Sequence, residues 1–234
     1  MSTNQPSAVD GDRGAPDPAV RIFLRPMASP LPLGFFAFGV GTTMFTALEL
    51  GWVPVDQAPV LATIMAAFVV PLEIIPAVLA YWARDVGGAT ALGIFGMTWA
   101  AVATVMLTGK PGELSPMLGV FMITVGVVIV LLAIAALPSK PVLGGLLLLS
   151  CARFVLTGLY QAGAGHAWET ASGWAGIPLG VAAMYFGLAL MLEDAQRSTV
   201  LPLARRGRAR TSLETHLGGQ VEAIEREAGV RGQL

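Results

Sequence analysis

Charge is what this chain has least of. Asp, Glu, Lys and Arg make up 12% of its 234 residues, about half the share of an average soluble domain. That excludes an ordinary water-soluble fold, which needs a charged surface to stay in solution. Cysteine is nearly missing as well. Cys151 stands alone, so an internal disulfide and any multi-cysteine metal site are excluded. Histidine is limited to His166 and His216, and with only Glu169 close by in sequence the metal-ligand supply is poor, so no metal is expected. No GxSxG, HExxH, Walker A or GxGxxG pattern stands in a convincing context. Enzyme chemistry therefore has no motif to rest on, and no cofactor is expected.

What the chain does have is apolar length. Hydrophobic residues make up 55% of it. Six stretches approach or exceed the roughly 20 residues that cross a hydrocarbon core about 30 Å thick: Leu33 to Leu50, Ala58 to Ala80, Gly88 to Leu107, Met117 to Leu137, Val142 to Gly163 and Ser172 to Leu192. The expected fold is an all-α membrane protein, a bundle of six transmembrane helices in which short connections make successive helices antiparallel neighbours. Arg153 falls inside a span and Lys110 in the third loop. All the remaining Lys and Arg fall on the opposite side, from Arg13 to Arg25, at Arg84 and Lys140, and from Arg197 onward. Cytoplasmic flanks keep positive charge, so both termini are expected in the cytoplasm of a multi-pass plasma (inner) membrane protein. Residues 1–32 carry charges and no apolar core, which predicts a disordered cytoplasmic segment and no cleavable signal peptide. Residues 33–192 form the six-helix domain. Residues 193–234 form a basic cytoplasmic tail, partly helical or disordered, in which Leu213, Leu217, Val221, Ile224 and Ala228 recur at helical spacing. Arg205, Arg206, Arg208 and Arg210 suit anionic membrane lipid, and nucleic acid is not an expected partner.

Two charged side chains, Glu73 and Arg153, lie deep within the spans. Such residues usually face a bundle interior and mark a path for ions or solutes. Pro71 and Pro76 bracket Glu73 and weaken the helix around it, as in the interrupted helices that often form transporter sites; the alternative is a simple kink with Glu73 in the protein interior. In the fifth span Ser150, Arg153, Thr157, Tyr160 and Gln161 share one face, a stripe suited to a small anion because guanidinium binds carboxylate in a bidentate manner. Glu73 and Arg153 lie at similar depth, within about 5 Å along the membrane normal, and are expected to be coupled as a pair. Thr42, Thr43 and Thr46 in the first span, and Thr98 in the third, add hydroxyls. Gly176 and Gly180 form a GxxxG step that permits close helix contact, between subunits included.

The segment Ser29-Pro30-Leu31-Pro32-Leu33-Gly34-Phe35 resembles the NPAPLGL signature of the acetate uptake transporter family, also called the GPR/FUN/YaaH or succinate-acetate permease family. The end of the last helix, with Gly173, Trp174, Gly176, Gly180, Ala183 and Tyr185, followed by Thr199 to Pro202, resembles it further. The resemblance covers roughly residues 29 to 203. It implies a homo-hexamer of six-helix protomers, each with a path for acetate and related short-chain monocarboxylates, either as a channel or coupled to protons, narrowed by aromatics that fall on Phe38 and Phe95. The third member of that constriction falls on Ser150, where the family has an aliphatic residue. The family signature also has Asn at Ser29 and Gln at Glu73, and no Arg is expected at position 153. Two other functions stay open: a channel for a small neutral solute such as urea, an amide or ammonia, since a Glu73–Arg153 pair would cancel the field an anion needs, and a non-transporting scaffold or sensor, which the polar stripe inside the bundle disfavours.

Overall fold

The computed structural model describes residues 28–196 and 198–206, so the N-terminal charged segment and the amphipathic stretch of the tail lie outside the described residues. Among the described residues the regular structure is helical: α1 (Leu31–Glu49), α2 (Ala58–Ile64), α3 (Val70–Trp82), α4 (Val86–Thr108), α5 (Pro116–Ala136), α6 (Pro141–Gln161) and α7 (His166–Gln196). A 3-10 turn at Val55–Gln57, α2, a π-helical turn at Met65–Val69 and α3 run on as one 28-residue span, so six helices are long and apolar enough to cross a membrane.

Local chemistry sets the helix ends. Pro71 has no N–H to offer and its ring crowds the preceding turn. The chain answers with the π turn directly before it, a device often found at functional sites. Asp85 caps α4 by accepting from the Gly88 N–H at 3.0 Å, and Ser115 caps α5 through the Leu118 N–H. At the end of α1, Gly51 takes φ +68°, a conformation that suits residues without a Cβ. The Gly51 and Trp52 N–H groups then bond back to the carbonyls of Leu48 and Ala47, a Schellman closure that leaves Glu49 as the last helical residue.

Each helix packs on its neighbours in chain order, α1 on α3, α3 on α4, α4 on α5, α5 on α6, α6 on α7, and α7 closes on α1. The result is a ring of six spans around a central axis. One end, where α1, α4 and α6 finish, is called the vestibule end below; the other holds both ends of the described chain. At the latter, residues 199–206 fold back on the bundle: the Tyr185 hydroxyl donates to the Pro202 carbonyl, Leu203 is buried, Arg205 pairs with Glu193 at 2.7 Å, and the Arg206 N–H reaches the Ser139 carbonyl. Lys140 and Asp85 add an ion pair at 3.7 Å there.

The last span starts earlier than the expected Ser172: His166 and Glu169 form the first turn of α7 and contact each other at 3.0 Å, because the positive φ values of Gly163 and Gly165 finish the turn before them. The glycines of α7 serve contact within the protomer: Gly173 abuts Leu50, Gly180 abuts Thr43, Gly187 abuts Phe36, and a Cβ on Gly176 would overlap Nη1 of Arg153 and Oγ1 of Thr46.

Candidate functional site

Thr42, Thr46 and Glu49 recur at four- and three-residue steps, one face of α1. Arg153 and Thr157 do the same on α6, and Ser172 follows on α7. These faces meet in a buried polar cluster near the vestibule end. Arg153 Nη2 donates to Glu49 Oε2 at 2.7 Å, and its Nη1 donates to Thr46 Oγ1 at 2.7 Å and, more distantly, to the Thr42 carbonyl. The other Glu49 oxygen accepts from Thr157 at 3.1 Å and from Ser172 at 2.9 Å, while those two hydroxyls stand 2.6 Å apart. Glu49 is 9% exposed and Arg153 4%. Phe45 lies under the guanidinium, 5.7 Å from its ring centre, within range of a cation–π contact.

This pairing replaces the expected one. Arg153 bonds Glu49, not Glu73. Glu73 is fully buried between α3 and α4, its Cβ against Gly96, and neither of its oxygens has a hydrogen-bond partner. The Trp99 indole N–H, which has no other partner, lies close enough to interact with the Glu73 carboxyl. Similar depth along the membrane normal was the ground for pairing Glu73 with Arg153, and depth alone says nothing about the direction in which a helix face points. Glu49 was overlooked because it ends its apolar stretch and so reads as an interface residue; its helical register with Thr42 and Thr46 was the available signal. Local physics opposes a carboxylate there, since the C-terminal end of a helix carries partial negative charge. The donors of α6 and α7 hold it.

Two cavities adjoin the cluster. A vestibule of about 730 Å³ opens at the end of the bundle, and its wall includes Phe45, Glu49, Val102, Lys110, Thr157 and Gln161. Beneath it lies a chamber of about 20 Å³ bounded by Phe38, Thr42, Trp99, Val102, Arg153 and Phe154, among others. That is room for about one water molecule. Glu49 faces the vestibule, Arg153 faces the chamber, and Thr157 lines both. The chamber ends in packed aromatic rings. Phe38 and Phe95 have centroids 4.6 Å apart, Phe154 stacks on Phe95 at 5.9 Å, and Trp99 stands 6.1 Å from both Phe38 and Phe45. These rings pack together and leave no cavity between them and the chamber wall wide enough for more than a water molecule.

The remaining candidates are scattered around this cluster. Thr42 is buried in the chamber wall with its hydroxyl unpartnered. Thr43 bonds the Gly39 carbonyl and faces a lateral groove between α1 and α7. Ser150 is fully buried and bonds the Leu146 carbonyl in its own helix. Gln161 accepts from the Ser115 N–H at the vestibule wall. Ser29, Pro30, Pro32, Leu33 and Gly34 lie at the start of α1, where Gly34 seats the Leu92 side chain of α4. Phe154, Trp99 and Ser172 complete the site and were not singled out in the sequence, because aromatics and a single serine in apolar helices are ordinary packing residues.

Comparison with known proteins agrees with this architecture. The sequence pattern of the GPR1/FUN34/yaaH family matches residues 13–205. The succinate-acetate/proton symporter SatP of Escherichia coli (strain K12) is 24% identical over 181 residues, which is 76% of this chain and 95% of that protein. SatP of Shigella flexneri matches to the same extent. The solved structure of the bacterial acetate channel SatP superposes with a TM-score of 0.69 at 23% identity, covering 76% of this chain and 99% of the other.

Proposed function

This chain belongs to the GPR1/FUN34/yaaH family, and on that premise we propose that it is a plasma-membrane permease or channel for acetate and related short-chain monocarboxylates. The observation that carries the reading is the cationic Arg153 facing a narrow chamber that ends at Phe38, Phe95 and Phe154. A guanidinium recruits a carboxylate by charge and by two parallel hydrogen bonds. The apolar rings beyond it suit a short alkyl chain and resist hydrated inorganic ions. The names of the similar proteins, an acetate channel and a succinate-acetate/proton symporter, point the same way. Both chain termini would face the cytoplasm, given the side on which the basic residues gather. The family resemblance supports a homo-hexamer, which native mass spectrometry in mild detergent would detect.

One observation favours a second reading. Glu49 neutralises Arg153, and a neutral cluster suits urea, an amide or ammonia. Uptake into proteoliposomes separates the two. Labelled acetate should enter, inhibited by formate and propionate and not by acetamide or urea, and a pH gradient across the bilayer reports proton coupling. Entry of labelled urea or acetamide without acetate entry would establish the neutral-solute channel instead.

A further inference from the structure

A guanidinium with one or two hydroxyl donors beside it is a set that recognises a desolvated carboxylate. Arg153, Thr157 and Ser172 supply that set, and the group they hold is the carboxylate of Glu49. We propose that Glu49 is a built-in stand-in for the substrate: its carboxylate occupies a carboxylate-binding site formed by Arg153, Thr157 and Ser172, and a short-chain carboxylate arriving from the vestibule displaces it. The inference rests on the carboxylate reading of the preceding subsection.

Four features support displacement over a fixed structural pair. Glu49 lines the vestibule while Arg153 lines the chamber, so their contact lies between the two cavities, beside Phe45, Val102, Met122 and Thr157, which line both. The vestibule holds about 730 Å³, ample room for a glutamate side chain to turn into. Glu49 is also the last residue of α1, directly before the Leu50-Gly51 closure, and its own helix end repels its charge. Finally, Thr42 presents a buried hydroxyl with no partner to the chamber, beside the carbonyl that Arg153 touches. A substrate carboxylate that has taken the place of Glu49 would find this free donor on the chamber side, on the way to Phe38. Lys110, Glu113, His166 and Glu169 also line the vestibule, so the displaced side chain enters a space of mixed charge.

The decisive variant is Glu49→Ala, which vacates the site and keeps its donors. Thermal unfolding of the purified full chain in detergent should occur several degrees below wild type. Sodium acetate or formate should restore the lost stability, and sodium chloride or acetamide at equal concentration should not. Wild type should respond to acetate far less, because its own carboxylate fills the site. If acetate shifts Glu49→Ala no more than chloride does, the stand-in reading is overturned. Should Glu49→Ala not accumulate, Glu49→Asp keeps the charge and shortens the side chain by one methylene. Its half-saturating acetate concentration for proteoliposome uptake should fall several-fold; an unchanged or higher value would overturn the proposal. Wild-type uptake in the same vesicles separates the two levels: no acetate entry removes the permease reading itself, whereas acetate entry in wild type without rescue of the variants removes only the role of Glu49.

Discussion

Two of the buried acids among the described residues, Glu49 and Glu73, live in opposite conditions. Glu49 ends a helix, stands against a cavity large enough for solvent, and is held by three donors from two other helices. Glu73 sits in the middle of a span between Pro71 and Pro76, wholly buried, with neither oxygen bonded. Burial of a carboxylate therefore does not tell whether it is supported. Support comes from the faces opposite it, and α6 turns Arg153 and Thr157 toward α1 rather than α3. The contrast predicts that the same kind of mutation acts in different ways at the two sites.

The largest effect is expected at the supported acid. Arg153→Met strands Glu49 and Glu49→Gln strands Arg153, and losing one partner of a buried pair costs about 3 to 5 kcal/mol. The double variant should lose less than the sum of the two. Folded yield by fluorescence-detected size exclusion, with thermal unfolding, gives the coupling energy. Additive losses would mean that the two side chains do not interact. Combining Arg153→Met with Glu73→Gln should, in contrast, give simple addition.

Gly176→Ala comes next. A Cβ there overlaps both Arg153 Nη1 and Thr46 Oγ1, so α7 must retreat or the guanidinium must move, and overpacking of this kind costs roughly 1 to 3 kcal/mol. The loss should largely vanish in an Arg153→Met background, where the clashing group is gone. Gly145 meets nothing within 4 Å, and alanine there should leave the melting temperature within error.

The smallest effect, and of opposite sign, belongs to the unsupported acid. Glu73→Met replaces an unbonded polar group by an apolar one of similar volume, and removing an unsatisfied buried group is neutral or stabilising. Its melting temperature should equal or exceed that of wild type. A clear drop would show that Glu73 has a partner, with the Trp99 indole the first to test through Trp99→Phe.

The fold was legible because its determinants are local. Apolar runs of membrane-spanning length, Pro- and Gly-rich connections and caps such as Asp85 and Ser115 act within a few residues, and the ring of six spans follows from short loops. The family also showed in the sequence, through the motifs at the start of α1 and along α7. The candidate site was legible only by halves. Arg153 and Thr157 stood out as a polar face on α6, and Phe38 and Phe95 followed from the family resemblance. The partner of Arg153 did not, because pairing depends on how far each helix is rotated about its axis, which no local pattern fixes. Gly176 carried part of that information: a residue without a side chain, beside a long cationic one, marks where the guanidinium passes α7.

A carboxylate that travels through the vestibule, past Arg153, to the phenylalanine constriction must shield the residues that line its way. Val102 lines both the vestibule and the chamber and belongs to no polar contact of the cluster. A Val102→Cys variant in a Cys151→Ser background, reconstituted in proteoliposomes, can be titrated with a small anionic methanethiosulfonate while acetate is varied. The thiol should react, acetate should slow the reaction in a saturable way, and acetamide should not. Reaction at an unchanged rate under saturating acetate, in vesicles that take up acetate, would contradict this route and place the path elsewhere.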